Sequence, residues 1–419
     1  MRYGLIGEHL GHSYSREIHA LIADYKYELA ELKPEELGGF LRKREFNAIN
    51  VTIPYKQAVI PYLDGISENA ASIGAVNTIV NRNGRLFGYN TDLAGMLALA
   101  KRIGIDAKGK KLLILGSGGT SKTARAAAKI LGAGEIITVS RSGKNGDVSY
   151  EEVAEKHADA RIVFNTTPVG MFPYTDGQAI DLAPFKKCEA VLDVVYNPLR
   201  TDLVLDAQAR GMAADGGLYM LTAQAVYASA LFLGREADAS DIEKTFLRVY
   251  NDKRNLVLTG MPSSGKTTVG KLLAEKTGRA FFDSDDIIVE KLGMPIADFF
   301  EKSGEAAFRT AESEVIAELS KKSGCVIATG GGAVLNDGNV RRLRHNGTLY
   351  FLDRSPEKLM ATADRPLSSD REALMRRYNE RYGIYTSTAD VIINADGAVT
   401  DTAEQIKAKS GKRKVKNML

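Results

Sequence analysis

The sequence predicts an α/β protein on parallel sheets, because twice along the chain an apolar strand enters a glycine-rich turn that opens a helix. The first instance is Leu113-Ile114-Leu115-Gly116-Ser117-Gly118-Gly119-Thr120, followed by a helical pattern to Leu131 and a strand from Glu135 to Val139. The second is Leu258-Thr259-Gly260-Met261-Pro262-Ser263-Ser264-Gly265-Lys266-Thr267, of the form G-x-x-x-x-G-K-T. Free backbone N–H groups and the positive end of the following helix make such turns phosphate sites. The two turns differ in kind. The first suits a dinucleotide pyrophosphate, the second the β- and γ-phosphates of a nucleoside triphosphate. Two chemistries are expected on one chain.

Size permits this. A chain of 419 residues has room for two to four domains, and 44% apolar with 26% charged residues is an ordinary globular composition. The net charge of +4 argues against nucleic acid or a membrane as the main partner. Much of the excess sits in Lys407, Lys409, Lys412, Arg413, Lys414 and Lys416, a solvated basic tail. Two cysteines, Cys188 and Cys325, are too few and too distant for a disulfide framework or thiolate metal site. His9, His12 and His19 lack regular ligand spacing. With no signal-peptide core at Met1-Arg2-Tyr3-Gly4 and no apolar run of about 18 residues, the expected location is the cytoplasm. Oligomeric state is left open.

The elements follow in order. Arg2 to Ile6, Ala48 to Ile53 and Ala75 to Val80 read as strands, the last closed by the turn Asn81-Arg82-Asn83-Gly84. Asp92 begins a helical pattern that ends near Gly104. After the first glycine turn come strands at Ile162 to Phe164 and Val191 to Val195, then helices at Leu221 to Leu233 and Asp241 to Tyr250. Asn251-Asp252-Lys253-Arg254 reads as a polar joint, and a new strand–helix pattern begins at Leu256.

The strand after the first turn selects its nucleotide. In an NAD site that strand ends in an acid, which accepts from the ribose hydroxyls. Here it ends Ser140-Arg141-Ser142 with Lys144 nearby. A guanidinium grips a 2′-phosphate that a carboxylate would repel, so the expectation is NADP(H) on Gly116, Ser117, Gly118, Gly119, Thr120, Ser140, Arg141 and Lys144.

Eight further strings, in order, resemble the motifs of shikimate dehydrogenase. They are Ile6-Gly7, Ser13-Tyr14-Ser15, Asn50-Val51-Thr52-Ile53-Pro54-Tyr55-Lys56, Gly74-Ala75-Val76-Asn77-Thr78, Gly88-Tyr89-Asn90-Thr91-Asp92, Asn165-Thr166-Thr167-Pro168, Tyr196-Asn197-Pro198-Leu199-Arg200-Thr201 and Gly217 to Ala225. The resemblance covers roughly residues 1 to 250. It implies Lys56 and Asp92 as the acid–base and positioning pair. It implies Ser13 and Ser15 on the substrate carboxylate, Thr52, Asn77 and Gln224 on its hydroxyls, and Tyr196 lining the site. Glu8, Arg16 and Ala20 depart from the family's pattern, as does the G-S-G-G-T turn.

The second loop carries its own chemistry. Gly260, Ser263, Ser264, Gly265, Lys266, Thr267 and Thr268 are expected to wrap ATP phosphates, with Thr267 on Mg²⁺. Phe281-Phe282-Asp283-Ser284-Asp285 reads as a strand whose alternate acids share one side. With Phe308-Arg309, Thr329 to Val334, Arg365-Pro366-Leu367 and Arg381 to Tyr385, this half resembles shikimate kinase over about residues 255 to 395. The resemblance implies that Asp285 binds and activates the substrate hydroxyls, Arg309 and Arg381 clamp the carboxylate, and Gly331 and Gly332 admit the ring. It implies Asp283 near Mg²⁺ and Arg365 on the nucleotide phosphates. The family's D-x-D-x-x-I-E acid would fall at Val289; here it is Glu290.

The expected architecture is a substrate-binding α/β unit (1–95 with 217–250), a Rossmann-like NADP unit (96–216), a P-loop unit resembling nucleoside monophosphate kinases (255–405) and a basic tail (406–419). The two resemblances name consecutive steps, reduction of 3-dehydroshikimate to shikimate and phosphorylation of shikimate. Other readings are a broader quinate/shikimate dehydrogenase, a regulatory P-loop module, or an adenylate-kinase-like enzyme.

Overall fold

Three sheets follow one another along the chain, each delivering polar residues at one end of its strands. The computed structural model describes residues 1–11, 13–143, 148–359 and 371–411. Lys144, Arg365, His12 and residues 412–419 of the tail lie outside the described residues.

The first sheet holds β1 (Tyr3–Gly7), β2 (Tyr27–Glu31), β3 (Ala48–Val51), β4 (Gly65–Ile66), β5 (Thr78–Arg82) and β6 (Arg85–Tyr89), in the order β2-β1-β3-β5-β6-β4. β1 runs parallel to both β2 and β3, whereas β5 is antiparallel to β3 and β6. Asn83 (φ 52°) and Gly84 (φ 82°) join β5 to β6. Two left-handed residues in a two-residue loop match the twist of a hairpin.

The second sheet holds β7 (Lys111–Leu115), β8 (Glu135–Val139), β9 (Ile162–Asn165), β10 (Ala190–Asp193) and β11 (Ala213–Asp215), ordered β11-β10-β9-β7-β8 and all parallel. Both faces are buried. Leu112, Ile114, Ile162 and Phe164 pack on one side with the helix Thr91–Ile103, and Leu113, Leu115 and Val163 on the other with Phe185 and Leu203. Each such side chain contributes about 1.5–3 kcal/mol through burial. The chain leaves β7 toward β8 on one side and β9 lies on the other, so a crevice opens at their carboxyl ends.

The third sheet holds β12 (Asn255–Thr259), β13 (Phe281–Asp283), β14 (Val326–Ala328), β15 (Gly347–Asp353) and β16 (Val391–Asn394), again all parallel, ordered β13-β14-β12-β15-β16. The α/β reading therefore holds, with a dinucleotide-type sheet and a P-loop sheet in sequence.

Several local expectations are corrected. Residues 251–253 are no free joint: the helix Ala239–Lys253 runs to Lys253 and β12 starts at Asn255. Its apolar stripe, including Ile242, Phe246 and Val249, buries it and carries the helix through the polar residues. Asp92 does not cap its helix. Asn90 does, accepting from the Leu93 N–H at 3.1 Å, which releases the Asp92 carboxylate for other partners. Asp283 and Asp285 do not alternate on one strand, because β13 ends at Asp283, which caps the helix Ser284–Leu292 that carries Asp285.

One buried base shapes acid stability. His19 is fully buried, stacked 3.9 Å from the Tyr27 ring, and its Nδ1 lies 2.6 Å from the Tyr25 hydroxyl. Burial pushes its pKa down to about 3. The unfolded chain therefore binds a proton there that the folded protein refuses, and stability present above about pH 6.5 is lost as pH falls toward 3. His19→Phe is expected to flatten the fall in unfolding free energy between about pH 6 and 4.5, by up to about 1.4 kcal/mol per pH unit. Equal pH slopes in the two proteins would refute this.

Candidate active sites

The first polar cluster forms where β1, β3 and β6 end and β5 begins. The Lys56 ammonium donates to Asp92 Oδ2 at 2.6 Å. Asn77 Nδ2 donates to the other oxygen, Oδ1, at 2.9 Å. Asp92 thus has both oxygens engaged, which fixes its plane and the lysine beside it. Asn77 is itself held, its Oδ1 accepting the Thr91 N–H at 2.7 Å and the Thr78 hydroxyl at 3.0 Å. Behind it, Asn50 donates to the Asn77 carbonyl at 3.2 Å and accepts from the Tyr27 hydroxyl at 2.8 Å.

Gln224 joins from the helix Leu218–Leu233, within 3.4 Å of the Thr91 hydroxyl. It reaches that place because of Gly95. A Cβ on Gly95 would lie 2.6 Å from the Met220 carbonyl oxygen and 3.2 Å from the Gln224 nitrogen. Only glycine lets the two helices meet so closely. The Ser13 hydroxyl donates to Ser15 Oγ at 3.0 Å, and Thr52 packs against Gly7, where a Cβ would meet it at 2.6 Å. The Tyr196 ring lies 5.3 Å from that of Tyr14.

The first glycine turn leaves β7 with Gly116 at φ 96°. A side chain there would meet Thr167 at 3.0 Å and Thr166 at 3.2 Å, so β9's exit loop closes over it. The helix Gly119–Ile130 starts at Gly118 with no side-chain cap. Its first N–H groups and the exposed Ser117, Gly118 and Gly119 therefore suit a phosphate. Thr120 lies in the first turn. Ser140 is buried and accepts the Gly143 N–H at 3.2 Å, while Arg141 beside it is exposed.

The P-loop follows β12. Gly260, Ser263 and Gly265 have φ of 146°, 64° and 89°. This alternation turns successive N–H groups inward. Lys266 folds across the loop, donating to the Gly260 and Met261 carbonyls at 2.9 Å each. The Thr267 hydroxyl donates to Asp283 Oδ2 at 2.7 Å. A hydroxyl beside a carboxylate is a hard oxygen set, suited to Mg²⁺. Ser264 is buried and Thr268 exposed.

Asp285, Arg309, Gly331, Gly332 and Arg381 come together around the turn after β14. Arg381 donates to the Gly331 carbonyl at 3.2 Å, and the Tyr385 hydroxyl donates to the same oxygen. A Cβ on Gly332 would collide with the Arg309 guanidinium, and one on Gly330 would lie 2.5 Å from Asp285 Oδ1. Glu312 escaped the sequence reading, while Tyr385 and Gly330 fell inside its quoted strings without a role. Glu312 is buried, accepts Arg309 at 2.8 Å, and burial raises its pKa despite that arginine. The i, i+3 spacing of Arg309 and Glu312 was the available signal. In the first cluster Thr91, Asn50 and Tyr27 were missed as supports; their partners come from other strands.

The chain covers 96% of a curated relative, shikimate dehydrogenase (NADP(+)) of Clostridium perfringens, at 36% identity over 262 residues. The chain belongs to the shikimate dehydrogenase family. A family model, shikimate dehydrogenase substrate binding domain, matches residues 5–79, and another, shikimate kinase, matches residues 262–410. The dehydrogenase half is followed by a kinase domain, making a bifunctional enzyme of the shikimate pathway. Among solved structures, shikimate 5-dehydrogenase of Thermus thermophilus in complex with NADP(H) and shikimate is 32% identical, with TM-score 0.53, covering 59% of this chain and 99% of that one. A chorismate mutase/shikimate 5-dehydrogenase fusion protein of Clostridium acetobutylicum is 32% identical, with TM-score 0.56, 59% of this chain and 96% of that one. Quinate dehydrogenase of Corynebacterium glutamicum in complex with NAD is 30% identical, with TM-score 0.54, 59% of this chain and 99% of that one.

Gly95→Ala is expected to force the two helices apart, costing about 1–3 kcal/mol of stability. It should raise the dehydrogenase KM for its polyol substrate more than that for nucleotide. An unchanged KM would show that Gln224 tolerates the shift.

Proposed function

We propose that the N-terminal half reduces 3-dehydroshikimate to shikimate with NADPH, and that the C-terminal half phosphorylates the shikimate 3-hydroxyl with ATP and Mg²⁺. One observation carries the joint reading: each half pairs a nucleotide loop with a polar cluster suited to a hydroxylated carboxylate. These are Lys56, Asp92 and Asn77 in the first and Asp285, Arg309 and Arg381 in the second.

In the first half, NADPH when bound supplies the hydride. Gly116 to Thr120 would hold its pyrophosphate and Arg141 with Ser140 its 2′-phosphate. Lys56 gives a proton to the developing alkoxide, and Asp92 holds the ammonium in place. Ser13 and Ser15 take the carboxylate; Thr52, Asn77 and Gln224 orient the hydroxyls; Tyr196 forms a wall.

In the second half, ATP with Mg²⁺ when bound supplies the phosphoryl group. The loop from Gly260 to Thr268 would hold the phosphates, with Thr267 and Asp283 toward the metal and Arg365 toward the nucleotide. Asp285 accepts the proton of the attacking hydroxyl. Arg309 and Arg381 bind the carboxylate, which their planar guanidinium groups suit. Glu312 holds Arg309 in place.

Incubation with 3-dehydroshikimate, NADPH, ATP and Mg²⁺ is expected to yield shikimate 3-phosphate. Shikimate alone would defeat the kinase assignment, and no NADPH oxidation the dehydrogenase one. Lys266→Ala should abolish phosphorylation, by at least 10²-fold, and leave NADPH oxidation intact. Arg141 predicts preference for NADP⁺ over NAD⁺; a preference for NAD⁺ with quinate would favour the chemistry named for the Corynebacterium glutamicum neighbour.

A further inference from the structure

The wall that carries Tyr14 and Tyr196 is backed by the kinase half. Tyr14 lies between Ser13 and Ser15, and its ring packs 5.3 Å from that of Tyr196. Three residues beyond Tyr196, the Leu199 N–H donates to Asn346 Oδ1 at 2.9 Å. The Arg200 N–H donates to the His345 carbonyl at 3.0 Å, and its guanidinium to the Gly347 carbonyl at 2.6 Å. Asp202 accepts from Arg341 and pairs with His345 Nε2 at 2.8 Å.

Asn346 ties these contacts together. It is 3% exposed, and its Nδ2 donates to the Ser320 and Lys322 carbonyls at 3.2 and 3.4 Å. Its oxygen therefore holds the segment after Tyr196, while its nitrogen holds Ser320 and Lys322 of the kinase half. A fully satisfied buried amide defines one geometry, because every departure leaves a buried polar group unpaired. A plain tether between the halves would not need its bonds on these residues. The Arg342–Asp176 pair, 3.1 Å apart at the exposed rim of the same interface, is such a tether.

We propose that Asn346, in the kinase half, is a positioning residue for the dehydrogenase reaction, holding Tyr14 and Tyr196 in register with the substrate. The inference rests on the dehydrogenase reading above. Misplacing a substrate wall weakens substrate binding without touching the nucleotide turn.

The test uses the full chain and NADP⁺-dependent oxidation of shikimate. Asn346→Ala is expected to raise the KM for shikimate roughly 10-fold, and Arg200→Met roughly 3-fold, with the KM for NADP⁺ within about twofold of wild type. Kinase kcat/KM for ATP should be retained, and Arg342→Met should leave all of these values unchanged. Partial unfolding lowers apparent kcat but not KM, so it does not mimic this pattern. If Asn346→Ala fails to fold, Arg200→Met decides. A shikimate KM within twofold of wild type in the folded variants overturns the proposal, as does an equal rise in Arg342→Met. A wild-type protein that oxidises no shikimate with either nicotinamide nucleotide overturns the dehydrogenase reading, and this inference with it.

Discussion

Parallel strands covered on both faces leave only their ends for polar chemistry, and that constraint arranges this molecule. Leu112 to Leu115 are buried to the last residue, and the chain turns polar at Gly116. Leu256 to Leu258 behave alike before Gly260. Because the backbone N–H groups beyond a buried strand cannot go unpaired in an apolar core, they face a crevice where water or phosphate can meet them. Asp283 and Thr329 arrive at the same end of the third sheet from β13 and β14. Lys56, Asn77 and Asp92 arrive likewise at one end of the first sheet.

Within each cluster, precision comes from layered hydrogen bonds between neighbouring side chains. Asp92 is oriented by two donors at once, and one of them, Asn77, is locked by Thr91, Thr78 and Asn50. Glu312 plays a comparable part for Arg309, and the Tyr385 hydroxyl for the Gly331 carbonyl. Such layered support keeps a site rigid without spending the conformational freedom of bound ligands.

The interface between the halves follows from the same economy. The helix Ala239–Lys253 passes directly into β12, so the kinase sheet begins one residue after the dehydrogenase helix ends. With no slack between them, the end of the helix Asp337–Asn346 presses on residues 199–202. Two enzymes joined so closely share structural residues as well as a chain.

Much of this was legible without coordinates. Both phosphate turns read directly from local spacing, because a tight glycine turn between strand and helix is a short-range feature. Ordered motifs identified the residues of both polar clusters. Local reasoning failed where the partner is distant in sequence. The polar run 251–254 looked like a joint, but a buried apolar stripe from Ile242 to Val249 kept 251–253 helical. Asp92 looked like a cap, but Asn90 took that role and freed it for Lys56. Gly95, Glu312 and Asn346 carry no motif that announces them. The sequence by itself determined the fold class and the two glycine turns. Only tertiary structure decided which polar atoms satisfy one another, since a buried hydrogen bond is set by what lies across the packed interface.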